Sequence, residues 1–115
     1  MTQRPDQDDG PVTLINVFEV QAGDAEAFIA QWRKRARVMA DAPGFRDTQL
    51  HVASSPAARF QFVNVAHWDS HEQLAAAQRS QEFQGSLRAA LGDSQVRFTA
   101  NPGTYTVAVA MTAAD

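Results

Sequence analysis

The chain of 115 residues has no cysteine. That removes disulfide cross-links, thiolate metal ligands and a cysteine nucleophile, and it suits a reducing, cytoplasmic setting. Long apolar runs are missing too: no stretch approaches the ~20 residues of a membrane span. Positive charge is sparse, with 10 Lys and Arg against 13 Asp and Glu for a net charge of −3 and no basic cluster. Nucleic acid and anionic membrane are therefore poor partners. The 6 glycines form neither a G-x-G-x-x-G turn nor a phosphate-binding loop. The opening MTQRPDQDDGP is polar and acidic, without the apolar segment of a secretory signal. Of the 3 histidines, His67 and His71 bracket Asp69, but that spacing straddles a strand end and a helix start, so the side chains need not converge on a metal. His51 stands alone and reads as a strand-surface residue.

What is present is ordinary globular material, with 44% hydrophobic and 20% charged residues. Residues 11–111 read as one domain, with short tails at 1–10 and 112–115. VTLINVFEV (12–20) alternates and is rich in β-branched side chains, which predicts a strand. Gly23 and Asp24 follow as turn and N-cap. Phe28, Trp32, Ala36 and Met39 then recur at helical spacing, with Arg33, Lys34 and Arg37 on the wet face, until Pro43-Gly44 stops the helix near residue 41. Residues 45–53 and 59–68 are strands. Ser70 with Gln73 is a capping-box start. SQEFQGSLRAALG (80–92) is a further helix, and GTYTVAVAM (103–111) is read as the last strand.

The order β-α-β-β-α-β is the ferredoxin-like α+β arrangement: a four-stranded antiparallel sheet with helices on one face. In strand 12–20 the even positions carry Val12, Leu14, Asn16 and Phe18, and the odd ones carry Ile15 and Val17. Strand 59–68 repeats this, with Phe60, Phe62, Asn64 and Trp68 on one side and Val63 and Val65 on the other. A sheet apolar on both faces, with helices for only one, needs a second cover, and a two-fold-related copy supplies it most simply. A homodimer is expected. Asn16 and Asn64 are out of place mid-strand, since a buried carboxamide costs free energy unless hydrogen-bonded. In this topology their strands are adjacent, so both amides and the Trp68 indole face the space between sheet and helices. They either satisfy local backbone groups or line a polar pocket.

VTLINVFEVQAG, PGF (43–45) and FVNVAHWDSHEQLAAA resemble the antibiotic biosynthesis monooxygenase family, of dimeric α+β-barrel fold, over about residues 12–109. Within the family the likeness is closest to cofactor-free anthrone oxygenases of aromatic polyketide pathways. The resemblance implies site residues at Asn16, Asn64 and Trp68, with Arg88 matching an arginine that some members carry on the late helix. A tyrosine used by one branch is replaced here by Leu74. The heme-degrading branch needs an axial histidine where this chain has Leu87, so heme degradation is disfavoured.

The implied chemistry is oxidation of a polycyclic aromatic by O2 without flavin or metal. Triplet oxygen reacts slowly with closed-shell molecules unless an electron donor is supplied, and an electron-rich substrate anion is such a donor. Asn16 and Asn64 would orient and stabilise an enolate and Trp68 would hydrogen-bond substrate or peroxide. Phe28, Trp32, Met39 and Phe62 would bind the rings, and Arg88 would flank the mouth. An amide is not a base near neutrality, so no general base is identified. The alternative is a non-catalytic barrel domain that binds a hydrophobic metabolite or only dimerises.

Overall fold

The computed structural model describes residues 10–93 and 96–114; the expected N-terminal tail lies outside these except for Gly10. The chain runs β1 (Val12–Val20), a 3-10 turn (Ala22–Asp24), α1 (Ala25–Ala40), β2 (Phe45–Val52), β3 (Phe62–Trp68), α2 (His71–Gln78), α3 (Gln81–Leu91) and β4 (Phe98–Tyr105). The strands form one sheet in the order β2-β3-β1-β4, with every neighbouring pair antiparallel. This is the α+β ferredoxin-like arrangement, with β1 and β3 as its central strands.

Local chemistry accounts for the element ends. Ser70 accepts the Gln73 backbone N–H at 3.1 Å and starts α2, while Ser80 accepts that of Phe83 at 3.2 Å and starts α3. Such caps contribute about 1 kcal/mol each. Gly44 adopts φ 88°, and a Cβ there would collide with the Gln73 side chain. Its carbonyl accepts the Asp69 N–H at 2.7 Å, tying the end of β3 to the start of β2. Three details depart from the sequence-based reading, the first being that β3 begins at Phe62 and not at residue 59. Asp24 stands at the N-terminus of α1 but its side chain does not cap it; the preceding 3-10 turn supplies the Ala22 carbonyl to the Ala25 N–H instead. The last strand is Phe98–Tyr105, not 103–111. Asn101, Pro102 and Gly103 disfavour a strand by composition, but β4 is an edge, where a proline with no N–H is tolerated. The apolar alternation after Tyr105 pairs with no strand, and Val107, Val109 and Met111 are exposed.

The inner face of the sheet is a ladder of β1–β3 rungs: Val12 opposite Trp68, Leu14 opposite Ala66, Asn16 opposite Asn64 and Phe18 opposite Phe62. The apolar rungs on either side of the asparagines belong to two separate packed clusters. One gathers Val12, Ala66, Trp68, Leu74 and Ala77, with Met39 and Phe45 against them. The other gathers Phe18, Val20, Phe28, Phe62 and Val96, with Trp32 and Phe98 against them. The outer face carries Ile15 opposite Val65 and Val17 opposite Val63, all half-buried in the single chain. No helix among the described residues is long and apolar enough to cross a membrane.

Candidate functional site

A cavity of about 340 Å³ separates the sheet from α1 and α3 at the asparagine rung. That volume lies in the range of about 300–1,000 Å³ usual for small-molecule sites. The sheet contributes Leu14, Asn16, Phe18, Phe45, Thr48, Asn64, Ala66, Trp68, Phe98, Ala100 and Pro102. From α1 come Trp32, Arg35, Ala36 and Met39, spaced so that one helical stripe faces the sheet. Gln78, Phe83, Gln84 and Leu87 close the far side. Alanines at 36, 66 and 100 leave room where larger side chains would fill the gap.

Three polar groups of the wall have unused hydrogen-bonding capacity. Trp68 is 1% exposed, its ring set edge-on to Phe45 with centroids 5.3 Å apart, and its Nε1 donates to no acceptor. Asn64 is buried, and its Oδ1 accepts a short hydrogen bond from the Thr48 hydroxyl. That bond fixes the amide and leaves its Nδ2 without an acceptor among the described residues. Arg35 is 7% exposed; its guanidinium lies 5.4 Å from the Phe98 ring centroid, and Nη1 has no hydrogen-bond partner. Burial pushes its pKa below the ordinary arginine value. A buried donor left unpaired costs about 1–3 kcal/mol, and more when charged. Two buried orphan donors on residues that line one cavity are therefore a strong sign of a missing acceptor. Among the described residues no carboxylate and no histidine lines the cavity.

Of the residues singled out in the sequence, Asn16, Asn64, Trp68, Trp32 and Met39 meet at this cavity. Asn16 is partly engaged: its Oδ1 accepts the Asn101 backbone N–H at 2.9 Å, beside Pro102, which has no N–H to offer. Phe28 and Phe62 do not line the cavity. They pack against each other with centroids 4.9 Å apart in the cluster beside it. Arg88 does not reach it either. Phe83, Gln84 and Leu87 take the inward positions of α3, and Arg88, about 100° further round than Leu87, is exposed. The cation of the site is Arg35, which stands three residues after Trp32 and four before Met39. That spacing was visible in the sequence, but its arginine neighbours belong to the wet face. Thr48 was also missed, since a threonine in a strand carries no signal of its own. The side chains around His67 diverge: His67 Nδ1 pairs with Asp47 at 2.6 Å, and Asp69 pairs with Arg46.

The family model for antibiotic biosynthesis monooxygenases matches residues 11–88. Among solved structures, a candidate monooxygenase from Shewanella loihica is 36% identical, with a TM-score of 0.72 over 90% of this chain and 99% of that one. SnoaB, a cofactor-independent oxygenase from Streptomyces nogalater, is 26% identical, with a TM-score of 0.70 over 89% of this chain and 97% of its own. A Caulobacter crescentus protein, 18% identical with a TM-score of 0.70 over 88% and 92% of the two chains, shares the fold. No curated protein sequence matches significantly. The family match spans more than half of the chain and the cavity falls on its strands and first helix: this protein is a member of the antibiotic biosynthesis monooxygenase family.

Proposed function

We propose that the protein is a homodimeric, cofactor-independent monooxygenase that oxidises an anthrone-type polycyclic aromatic to a quinone with O2. The observation that carries this reading is the presence, in one largely apolar cavity, of Trp68, whose indole N–H is unpartnered, and of the Asn64 amide, whose Oδ1 is held by Thr48. Flat rings fit between Trp32, Met39, Phe83 and the sheet. Loss of a proton from the anthrone methylene gives an enolate whose oxygen these donors stabilise. The enolate passes one electron to O2, the carbon radical and superoxide combine, and protonation gives a hydroperoxide. Loss of water leaves the carbonyl, so CH2 plus O2 becomes C=O plus H2O. With no carboxylate or histidine among the described residues of the wall, the proton leaves to water or to the substrate's own oxygens, and the wall lowers the energy of the anion rather than accepting the proton. The likeness to SnoaB supports the oxygenase chemistry, and the absence of a nucleotide-binding glycine turn in the sequence agrees with a reaction that borrows no flavin.

Oxygen uptake against a panel of anthrones and naphthols, in the presence of chelator, tests this directly. The expected result is one O2 consumed per quinone formed, at a rate proportional to protein. Uptake that appears only with added flavin or iron rejects the mechanism. A folded, ligand-binding protein with no uptake on any panel member favours the binding-domain alternative.

A further inference from the structure

We propose that Arg35 is a binding residue for an ionised oxygen on the substrate, so that the site selects aromatic ligands carrying a negative charge. The inference deepens the proposed function and concerns the same cavity. Arginine seldom occupies the inward stripe of an amphipathic helix, because its charge must be desolvated there. Here it does so between Trp32 and Met39, is 7% exposed and lines the cavity. Three features show that this is not a structural ion pair. Among the described residues no Asp or Glu lines the cavity, Arg35 takes part in no salt bridge or hydrogen bond, and Nη1 is buried without an acceptor. Its guanidinium stands over the Phe98 face, at 5.4 Å, and a ring quadrupole stabilises the charge without using the N–H donors. The donors therefore remain unpaired. Trp68, whose Nε1 is likewise orphaned, lines the same cavity from the sheet side, and no acidic side chain among the described residues lines it to oppose an anionic oxygen.

The occupant is an aromatic with an ionised carboxylate, phenolate or enolate oxygen. A planar guanidinium binds a carboxylate through paired hydrogen bonds, and a charge-assisted bond in a water-poor cavity discriminates strongly against a neutral isostere.

The test uses non-reacting probes: the 1- and 2-carboxylates of anthraquinone against the matching carboxamides. Both of the chain's tryptophans line the cavity, so quenching of their fluorescence reports occupancy of this site. At neutral pH at least one carboxylate should bind about tenfold or more tighter than its carboxamide. Arg35→Gln should reduce that ratio to about one, and Arg35→Lys should restore part of it. Equal binding of acid and amide by the wild-type protein, or a preference that survives in Arg35→Gln, overturns the proposal; so does failure of all four probes to bind. These outcomes are separate from those of the oxygen-uptake assay. A charge preference without turnover keeps the anion site and removes the oxygenase reading, and turnover without a charge preference does the reverse.

Discussion

At the scale of single residues, the site is a set of donors without acceptors. Trp68 and Asn64 can be separated from mere packing by choosing substitutions that move stability and turnover in different directions. Trp68→Phe removes volume and the N–H together. If the indole only fills space, activity will follow the folded fraction, as with other core truncations. If it donates to the enolate or peroxide, turnover will fall further, by the equivalent of about 2–4 kcal/mol in the barrier. Asn64→Leu keeps the volume and deletes the amide, and it should leave a folded protein with reduced turnover. Wild-type turnover in both folded variants would assign these residues to the core. Arg35 gives a thermodynamic counterpart. Its unpartnered charge opposes folding, so Arg35→Met should raise the free energy of unfolding of the ligand-free protein by about 1–3 kcal/mol, measured by urea titration. A loss of stability of similar size would show that the charge has a partner in the folded protein.

At the scale of elements, strand parity made much of this readable. Once β1 and β3 are placed side by side, Asn16, Asn64 and Trp68 must share a face, and the structure has them on it. Arg35 escaped because helical stripes are read from apolar residues, so a charge on the inward stripe registers as noise beside Arg33, Lys34 and Arg37. The position of β4 escaped for the converse reason. Val107, Val109 and Met111 alternate well but find no neighbour, whereas Phe98–Tyr105, with its Asn-Pro-Gly, gains a full ladder against β1. Pairing overrides propensity there. One further contact binds these elements together. Glu19 of β1 accepts hydrogen bonds from Arg59 Nε at 2.7 Å and from the Thr99 hydroxyl of β4 at 2.9 Å. The bonds from Arg59 and Thr99 hold its carboxyl below the ordinary value of 4.5. A carboxylate more acidic in the folded than in the unfolded state stabilises the fold above the ordinary carboxylate range, and that contribution is lost as pH falls through the lower, folded-state value. Because both partners of the Arg59–Glu19 pair are solvent-exposed at the surface, 75% and 38% respectively, the effect is small. Glu19→Gln should lower the melting temperature slightly at pH 7 and leave it unchanged near pH 2. A difference that persists in acid would mean that the substitution acts through something other than charge.

At the scale of the whole molecule, the outer face of the sheet asks for a partner. Ile15, Val17, Val63 and Val65 form a contiguous apolar patch across the two central strands, and the exposed apolar residues after Tyr105 add to the surface that water must cover. The proposed homodimer, with the two sheets face to face, removes most of it. Light scattering should therefore give a mass near twice 12.6 kDa, and Val17→Asp with Val63→Asp should shift it to the monomer. A wild-type monomer at micromolar concentration would leave the patch unexplained and the dimer without support.

The two packed clusters on either side of the asparagine rung have a consequence for how this molecule can change. Cohesion resides in the Trp68–Leu74 end and the Phe18–Phe28–Phe62 end. The rung between them, with Arg35, Thr48 and the alanines around it, contributes chemistry more than cohesion. Substitutions there are buffered by two cores they do not have to rebuild, so side chains at the rung can be exchanged without first finding a new fold. Such a chain is evolvable at its centre and conservative at its ends, the reverse of a protein whose binding residues sit on surface loops around one central core.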